Sequence, residues 1–184
     1  MALNPFFCVN KAHVMKGIQC SGVVIPPFWM TPFSFNMADT MSGIQMATAG
    51  NAVGCPTAPF PAKGAQLSSF CNLAGGDATL LQAIAFGGNG CSGNFTGIQA
   101  ALFLGLNSVE GDASGIQVVP LGLNVTKECL RGIQIGAANW STEVAGMQIG
   151  IVNYCSKLQG VQIGVVNICS EHRVPFVPII NARF

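Results

Sequence analysis

One phrase of eight residues occurs three times toward the C-terminal end of this chain, and it constrains the fold more than any other feature. The phrase is a glycine, a hydrophobic residue, Gln, Ile, Gly, two small or hydrophobic residues and Asn. Successive copies begin 14 residues apart. The copies are GIQIGAAN at 132–139, GMQIGIVN at 146–153 and GVQIGVVN at 160–167. Self-similarity at a fixed short period indicates a repeat architecture.

Weaker copies of the phrase precede these three. They keep the triplet Gly-hydrophobic-Gln or a close variant of it, and the spacing between them shortens from 26 residues to 14 along the chain. We expect one continuous domain, with irregular coils carrying proline and aromatic loops at 1–96. A regular repeat array with a C-terminal cap is expected at 97–184. The nine copies begin at residues 17, 43, 64, 80, 97, 115, 132, 146 and 160, and a half-phrase follows at 177–181.

Within each strict copy, hydrophobic residues alternate with Gln and Gly. This period of two is typical of a strand with one buried face, and β-branched residues suit such a face. On this interpretation Val161, Ile163 and Val165 point into the core. Gln162 and Gly164 are then predicted to point outward. The first glycine of each copy is expected to take a positive φ, and the final Asn is expected to turn the chain through a left-handed conformation.

A single coil of this length offers too few inward apolar side chains to offset the conformational entropy lost on ordering it. Neighbouring coils on both sides supply the missing burial. Parallel stacking also places each Gln above the Gln of the next coil, where amides can hydrogen-bond along the stack. The sequence therefore predicts an all-β fold, a parallel β-solenoid of about nine coils that ends in a short capping segment.

The same alternation fits an antiparallel meander closed into an outer-membrane type of barrel, whose strands are apolar outside and polar inside. The aromatic residue Phe184 and the scarcity of charge agree with that alternative. Hairpins, however, would need two kinds of turn in alternation. The links between the strict copies are all of one length and one pattern, which favours the parallel stack.

Charge is scarce in this chain. Only 8% of the residues are charged and 50% are hydrophobic, against about 25% charged in a typical soluble domain. Such a chain usually assembles, lies against a membrane, or covers much of its surface with Gly, Ser, Asn and Gln. Its net charge of +1 indicates no nucleic-acid partner. No apolar run reaches the ~18 residues of a membrane-spanning helix, and residues 1–17 lack the basic and apolar segments of a secretory signal.

The strict copies, together with VPFVPIINARF at 174–184, resemble the bacterial surface-repeat proteins built from G-h-Q-h-G-h-h-N units, where h is hydrophobic. The resemblance is closest over 132–184, extends with insertions over 97–131 and is limited to Gly-Ile-Gln triplets in 1–96. It implies a secreted or cell-envelope protein, usually made with an export signal. It carries over no catalytic residue.

No group of residues in the sequence indicates catalysis, a cofactor or a metal site. His13 and His172 lie near opposite ends of the chain, and no two of the eight cysteines form a CxxC pair. The glycine-rich stretch 87–93 lacks the Lys-Ser/Thr ending of a phosphate-binding loop. We interpret the cysteines as small buried side chains. The alternative is a set of disulfides formed in an oxidising compartment, with Cys155 and Cys169 stacked on adjacent coils.

Two features are candidate interaction sites, an aromatic loop and a flat outward face in which glycine lets another sheet approach closely. The sequence predicts a structural or interaction protein and not an enzyme. It is expected to form a homo-oligomer or filament through its flat Gly and Gln faces, with membrane contact as the alternative. No small-molecule substrate is indicated. The candidate residues are Phe28, Trp29 and Phe33 in the loop, and Gln134, Gln148, Gln162, Gly136, Gly150 and Gly164 on the face.

Overall fold

A computed structural model of the chain describes residues 7–21, 33–54 and 61–184. These residues form ten strands and, within those ranges, no helix. The described ranges therefore contain no helix that could span a membrane. The strands are β1 (Phe7–Ser21), β2 (Phe33–Ala47), β3 (Gly50–Val53), β4 (Ala62–Ser68), β5 (Cys71–Ala74), β6 (Ala78–Cys91), β7 (Phe95–Val109), β8 (Ala113–Ile149), β9 (Val152–Cys169) and β10 (Phe176–Arg183).

Strands β1 to β9 stack in parallel, and equivalent residues of the repeat lie side by side. At the N-terminal end Gln19 pairs with Gln45, and at the other end Gln148 pairs with Gln162. The predicted parallel β-solenoid is therefore confirmed, and the antiparallel meander is wrong. The solenoid has about seven turns, slightly fewer than the nine coils expected. The first two copies pair in the same register but are joined through 22–32 and 55–60, outside the described residues.

The last strand reverses direction. β10 pairs antiparallel with β9, so that Asn181 lies opposite Gln162 and Arg183 opposite Gly160. An uncovered strand edge presents unpaired backbone groups to solvent, and β10 satisfies those of the final coil. This arrangement confirms the predicted C-terminal cap.

Each coil sends four side chains inside the solenoid. Two of these positions carry Gln and Asn in coil after coil, and two carry apolar or small residues. The position two residues before the first glycine holds Met15, Met41, Ala62, Ala78, Phe95, Ala113, Leu130, Val144 and Leu158. The position two residues after Asn holds Ala38, Val53, Ala74, Cys91, Val109, Thr126, Ser141, Cys155 and Cys169.

The inward direction of Gln reverses the prediction made from the alternating pattern. Gln162 is fully buried, whereas the side chains of Ile163 and Val165 are 37% and 66% exposed, and Val161 is half-buried. The alternation fixes the period of a strand but not which of its two faces lies inside. Parallel stacking decides the matter, because it gives each buried amide a partner of its own kind one coil away.

The glycine that opens each copy is required by the close approach of the coils. Gly115, Gly132 and Gly160 have φ values of +138°, +152° and +152°, as predicted, whereas Gly146, which opens the middle strict copy, does not have a positive φ. A Cβ on any of them would overlap the carbonyl oxygen of the equivalent glycine in the preceding coil. The left-handed Asn corner, by contrast, is wrong. Among the described residues other than glycine, only Ile179 has a positive φ.

Candidate functional site

A continuous ladder of glutamine amides runs along the interior of the solenoid. In each coil Nε2 donates to Oε1 of the Gln in the preceding coil, at 2.7–3.1 Å. At the C-terminal end the last acceptor, Oε1 of Gln162, receives a hydrogen bond from Nδ2 of Asn181 at 2.9 Å. The capping strand therefore completes the ladder as well as the sheet. The ladder consists of Gln19, Gln45, Gln66, Gln82, Gln99, Gln117, Gln134, Gln148 and Gln162.

A second ladder, of asparagine amides, runs beside the first with the opposite polarity. Nδ2 of each Asn donates to Oδ1 of the Asn in the following coil, at 2.8–3.1 Å. Most also donate to a carbonyl across the bend, as Asn153 does to Ile163 at 2.9 Å. Because the two rows of dipoles point in opposite directions, they largely offset each other. The ladder consists of Asn36, Asn51, Asn72, Asn89, Asn107, Asn124, Asn139, Asn153 and Asn167.

The second glycine of the strict copies makes room for the asparagine ladder. A Cβ on Gly150 would lie 2.7 Å from Nδ2 of Asn139, and one on Gly164 would lie 2.6 Å from Nδ2 of Asn153. Gly136 is similarly confined by Nδ2 of Asn124. Inside, these glycines leave space for the asparagine side chains. Outside, they leave a depression in the surface of each strand.

Outside, the solenoid has two chemically different faces. We call the outward residues of the segments from the first Gly to the Asn of each copy the charge-free face, because none of these segments contains Lys, Arg, Asp or Glu. We call the outward residues of the return stretches, from Asn to the next Gly, the charged face. This segregation is visible in the sequence, and it identifies the outer surface once the amides are known to lie inside.

The charge-free face carries most of the exposed large hydrophobic side chains. Ile151 and Val165 are 59% and 66% exposed in the strict coils, and Leu102 is 63% exposed in an earlier one. The rings of Phe86 and Phe103 stack on this face with centroids 5.0 Å apart. Water therefore meets an apolar sheet, whereas amides occupy the interior.

A shallow groove crosses the strict coils on this face. Gly136, Gly150 and Gly164 form its floor, and its volume is about 520 Å³. Pro120 lies at one end and Ile179 at the other. One wall is the column Ile135, Ile149 and Ile163, and the other is Ala137, Ile151 and Val165.

The predicted interaction residues are thus divided by the structure. Gln134, Gln148 and Gln162 are buried in the interior and form no part of any outer surface. The three glycines reach the surface only as the groove floor. Phe28 and Trp29 lie outside the described residues. Phe33 is 51% exposed, and its ring centroid lies 6.1 Å from that of Phe70.

The charged face neutralises itself by ion pairs between adjacent coils. Nζ of Lys127 lies 2.6 Å from Glu110, Arg131 lies 2.6 Å from Asp112, and Lys157 lies 2.8 Å from Glu143. The hydrogen bond from Arg131 lowers the pKa of the Asp112 carboxyl, and the hydrogen bond to Glu143 raises the pKa of Lys157. Trp140 and Tyr154 stack on the same face with centroids 6.2 Å apart.

The interior cysteines behave as small hydrophobic side chains. Cys91, Cys155 and Cys169 are buried and unbridged, as predicted, while Cys20 is exposed. Burial raises the pKa of the Cys91 thiol to about 11, and burial is also the main reason why the pKa of Cys155 is raised. Such thiols carry little thiolate at neutral pH and are poor nucleophiles. Across residues 7–21, 33–54 and 61–184, no group of three His, Cys, Asp or Glu side chains could hold a metal ion.

Comparisons of the chain with protein-family models, with curated proteins and with solved structures find no match.

Proposed function

We propose that this protein is a structural protein that works by docking, and that its charge-free face is the docking surface. One observation carries the proposal, namely the complete separation of charge from the outward apolar side chains of the Gly-to-Asn segments. A monomer whose surface served only for solubility would gain from scattering charge over all its sides.

The dimensions of the face support this proposal. Nine stacked copies give the face a length of about 43 Å, and each strict segment extends about 26 Å measured along a chain that bends at Gly150 and Ile151 in the copy at 146–153, from the usual rise and spacing of strands. Its exposed hydrophobic side chains recur in coil after coil along that length, whereas a typical monomer rarely exposes a continuous apolar patch of more than a few hundred Å². An apolar surface of this extent is characteristic of an interaction site.

The amide ladders hold adjacent coils rigidly together, and this rigidity suits a docking role. Each coil is joined to the next by backbone hydrogen bonds and by two side-chain bonds, one in each ladder. A surface held in this way changes little on binding, so little conformational entropy is lost there. The interior therefore provides a rigid support for the apolar face.

Binding to a lipid surface is the second candidate function. The exposed side chains of Ile179, Ile180 and Phe184 on and after β10 favour it, because they add apolar surface next to the charge-free face. The likeness of the repeat phrase to bacterial surface-repeat proteins supports a place at the cell envelope or outside the cell. Fractionation of cells that produce the chain tests that location.

The substitution Ile151→Lys tests the proposed function. It places a charge on the face, at a side chain exposed enough to accept it without refolding. We expect the variant to lose association both with itself and with phosphatidylcholine vesicles, whichever of these the natural chain shows. A natural chain that stays monomeric and also fails to bind vesicles at every accessible concentration would contradict the proposal.

A further inference from the structure

We infer that the outer edge of β1, at the N-terminal end of the solenoid, is a docking site for one further strand supplied by another polypeptide. The strand that fits this edge runs parallel to β1 and carries Asn, Gly and Gln at the spacing of the repeat, together with an acidic residue. The edge is a different surface from the charge-free face, so this inference goes beyond the proposed function and can fail separately from it.

The two ends of the solenoid are finished differently. At the C-terminal end β10 covers the last coil, and Gln162 is fully buried. At the N-terminal end β1 pairs with β2 along one edge, and no other strand of the described residues pairs with it. Ile18 on β1 is 72% exposed, against 37% for Ile44 in the next coil. An open strand edge of this kind can pair with an added strand.

The asparagine ladder is incomplete at this end. Asn36 is fully buried, yet its Oδ1 has no hydrogen-bond partner. In the next coil the equivalent oxygen, of Asn51, accepts from Asn36 at 3.0 Å. Asn10 lies in register with Asn36 and could donate in the same way, but its side chain is exposed. A strand beyond β1 would enclose Asn10 and favour the inward direction of its amide.

The glutamine ladder is open at the same end. Oε1 of Gln19 accepts from Gln45 at 2.9 Å, while Nε2 of Gln19 donates to the backbone oxygen of Asn10 at 3.1 Å. In an inner coil Nε2 makes two bonds, as that of Gln148 does, one to Gln134 and one to a backbone oxygen. Within the described part of the chain, one N–H of Gln19 is therefore left for an acceptor in a preceding strand.

The opening glycine of β1 points to the same missing strand. At Gly43 and Gly64 an added Cβ would overlap the carbonyl oxygen of the glycine one coil before. At Gly17 no described atom lies within 4 Å of an added Cβ, although its φ is also positive, at +94°. The space over Gly17 therefore fits the glycine of one more coil, in line with the open ends of both ladders.

Charge narrows the choice of occupant. Lys11 and Lys16 are exposed on β1, and neither has an ion pair within residues 7–21, 33–54 and 61–184. No Asp or Glu precedes Asp39 in the chain. A second copy would bring the same lysines with its own β1, and its C-terminal edge is already occupied by β10. An acidic strand of another polypeptide meets the lysines with opposite charge.

Residues 139–149 of this chain, made as the synthetic peptide NWSTEVAGMQI, provide a probe. Within the solenoid this segment stacks in parallel on the coil that follows it. Its Asn, Gly and Gln are spaced as Asn10, Gly17 and Gln19 are in β1. Its glutamate would lie diagonally across from Lys16, within reach of a long side chain.

Fluorescence anisotropy of the labelled peptide, titrated with the full chain, tests the inference. We expect saturable binding of one peptide per chain. Asn10→Ala in the protein, which removes the amide between the peptide and Asn36, should weaken binding about 10-fold or more. A peptide with Gln148→Leu should bind at least as weakly, because it offers Gln19 no acceptor. Circular dichroism confirms that the Asn10→Ala protein is folded.

Two controls separate this edge from other surfaces. A peptide with Thr142→Ala keeps both amides and the glycine and should bind like the natural sequence. The Ile151→Lys protein should also bind it normally, because the substitution lies on the charge-free face. Loss of binding in that protein would place the peptide on the charge-free face, overturning this inference and leaving the proposed function standing.

The inference would also be overturned by the absence of saturable binding, or by equal binding of the natural and Gln148→Leu peptides. A dimer that Asn10→Ala dissociates in sedimentation velocity, with no peptide bound, would assign the edge to a second copy and overturn it as well. Peptide binding that depends on Asn10, in a chain whose charge-free face binds nothing, would support the inference while the proposed function fails.

Discussion

The interior and the charge-free face of this solenoid are built from alternate residues of the same strands, yet their chemistry is the reverse of the usual arrangement. Gln162 is buried, and its neighbours Ile163 and Val165 are exposed. In a parallel stack an amide can donate to one neighbouring coil and accept from the other, so its burial within the stack leaves neither its nitrogen nor its oxygen without a partner. The exception is Oδ1 of Asn36, at the N-terminal end of the asparagine ladder, which has none. An apolar column outside has no such internal partner and is exposed to water in the monomer.

The two surfaces therefore depend on different interactions. The interior depends on unbroken ladders, because each Gln or Asn side chain is fully hydrogen-bonded only if the equivalent residue is present in the neighbouring coils. The side chains of the charge-free face contribute little to the folded monomer, and under the proposed function an external partner covers them. The predictions below test this contrast, from the largest expected effect to the smallest.

Replacing an interior amide with a hydrophobic residue should destabilise the protein. Gln99→Leu would remove the acceptor of Gln117 and the donor to Gln82, bonds of 2.7 and 2.9 Å in a fully buried position. Two unsatisfied buried groups cost about 2–5 kcal/mol in the free energy of unfolding. Denaturant unfolding measures this loss. Gln159→Leu, at an exposed glutamine, is the matched control and should cost little, and equal losses in the two variants would contradict the contrast.

Thiols inside and outside should differ in reactivity. With a pKa of about 11, Cys91 carries about 100-fold less thiolate at pH 8 than an ordinary thiol, and its burial protects it further. Cys20 lies exposed on the charge-free face. We expect iodoacetamide to alkylate Cys20 at least about 100-fold faster than Cys91 in the native protein, as mapped by mass spectrometry. Similar rates would mean that the interior is open to solvent.

Removing the cap of the glutamine ladder should have a moderate effect. Asn181→Ala takes away the donor to Oε1 of Gln162, at a position that is 2% exposed. We expect a loss of about 1–2 kcal/mol in the free energy of unfolding. Ile180→Ala, next to it on β10 and largely exposed, is the control. If the two variants lose the same stability, Asn181 is not continuing the ladder.

Replacing a hydrophobic residue of the outer face with an amide should have almost no effect on the stability of the monomer. Val165→Gln replaces a side chain that is mostly in water, so we expect a change within about 0.5 kcal/mol. The unfolding measurement should be made at a concentration too low for association. A loss comparable to that of Gln99→Leu would show that Val165 belongs to a core.

The sequence identified the architecture but not the direction of the side chains. The 14-residue period, the opening glycines with positive φ and the buried Cys155 and Cys169 all follow from local rules, and the structure confirms them. The inside-out placement of Gln162 and Ile163 does not follow from those rules. Hydrophobicity normally assigns the inner face, and it fails where a buried amide finds its partner in a distant copy of itself.

The charge-free face was missed for the same reason. Once Gln was assigned to the outside, the Ile and Val columns were expected to form the core, and the predicted face contained Gln134 where it in fact exposes Ile135. The absence of charge from every Gly-to-Asn segment was available in the sequence. That pattern identifies an outer face only after the amides are known to lie inside.

Hydrogen exchange of side-chain amides, followed by NMR after transfer to deuterated buffer, tests the ladders most directly. The account predicts that the NH₂ signals of Gln82, Gln99 and Gln117 persist long after that of Gln159 has disappeared, because only the first three are buried and hydrogen-bonded. Loss of all four signals at the rate of a free amide would contradict it.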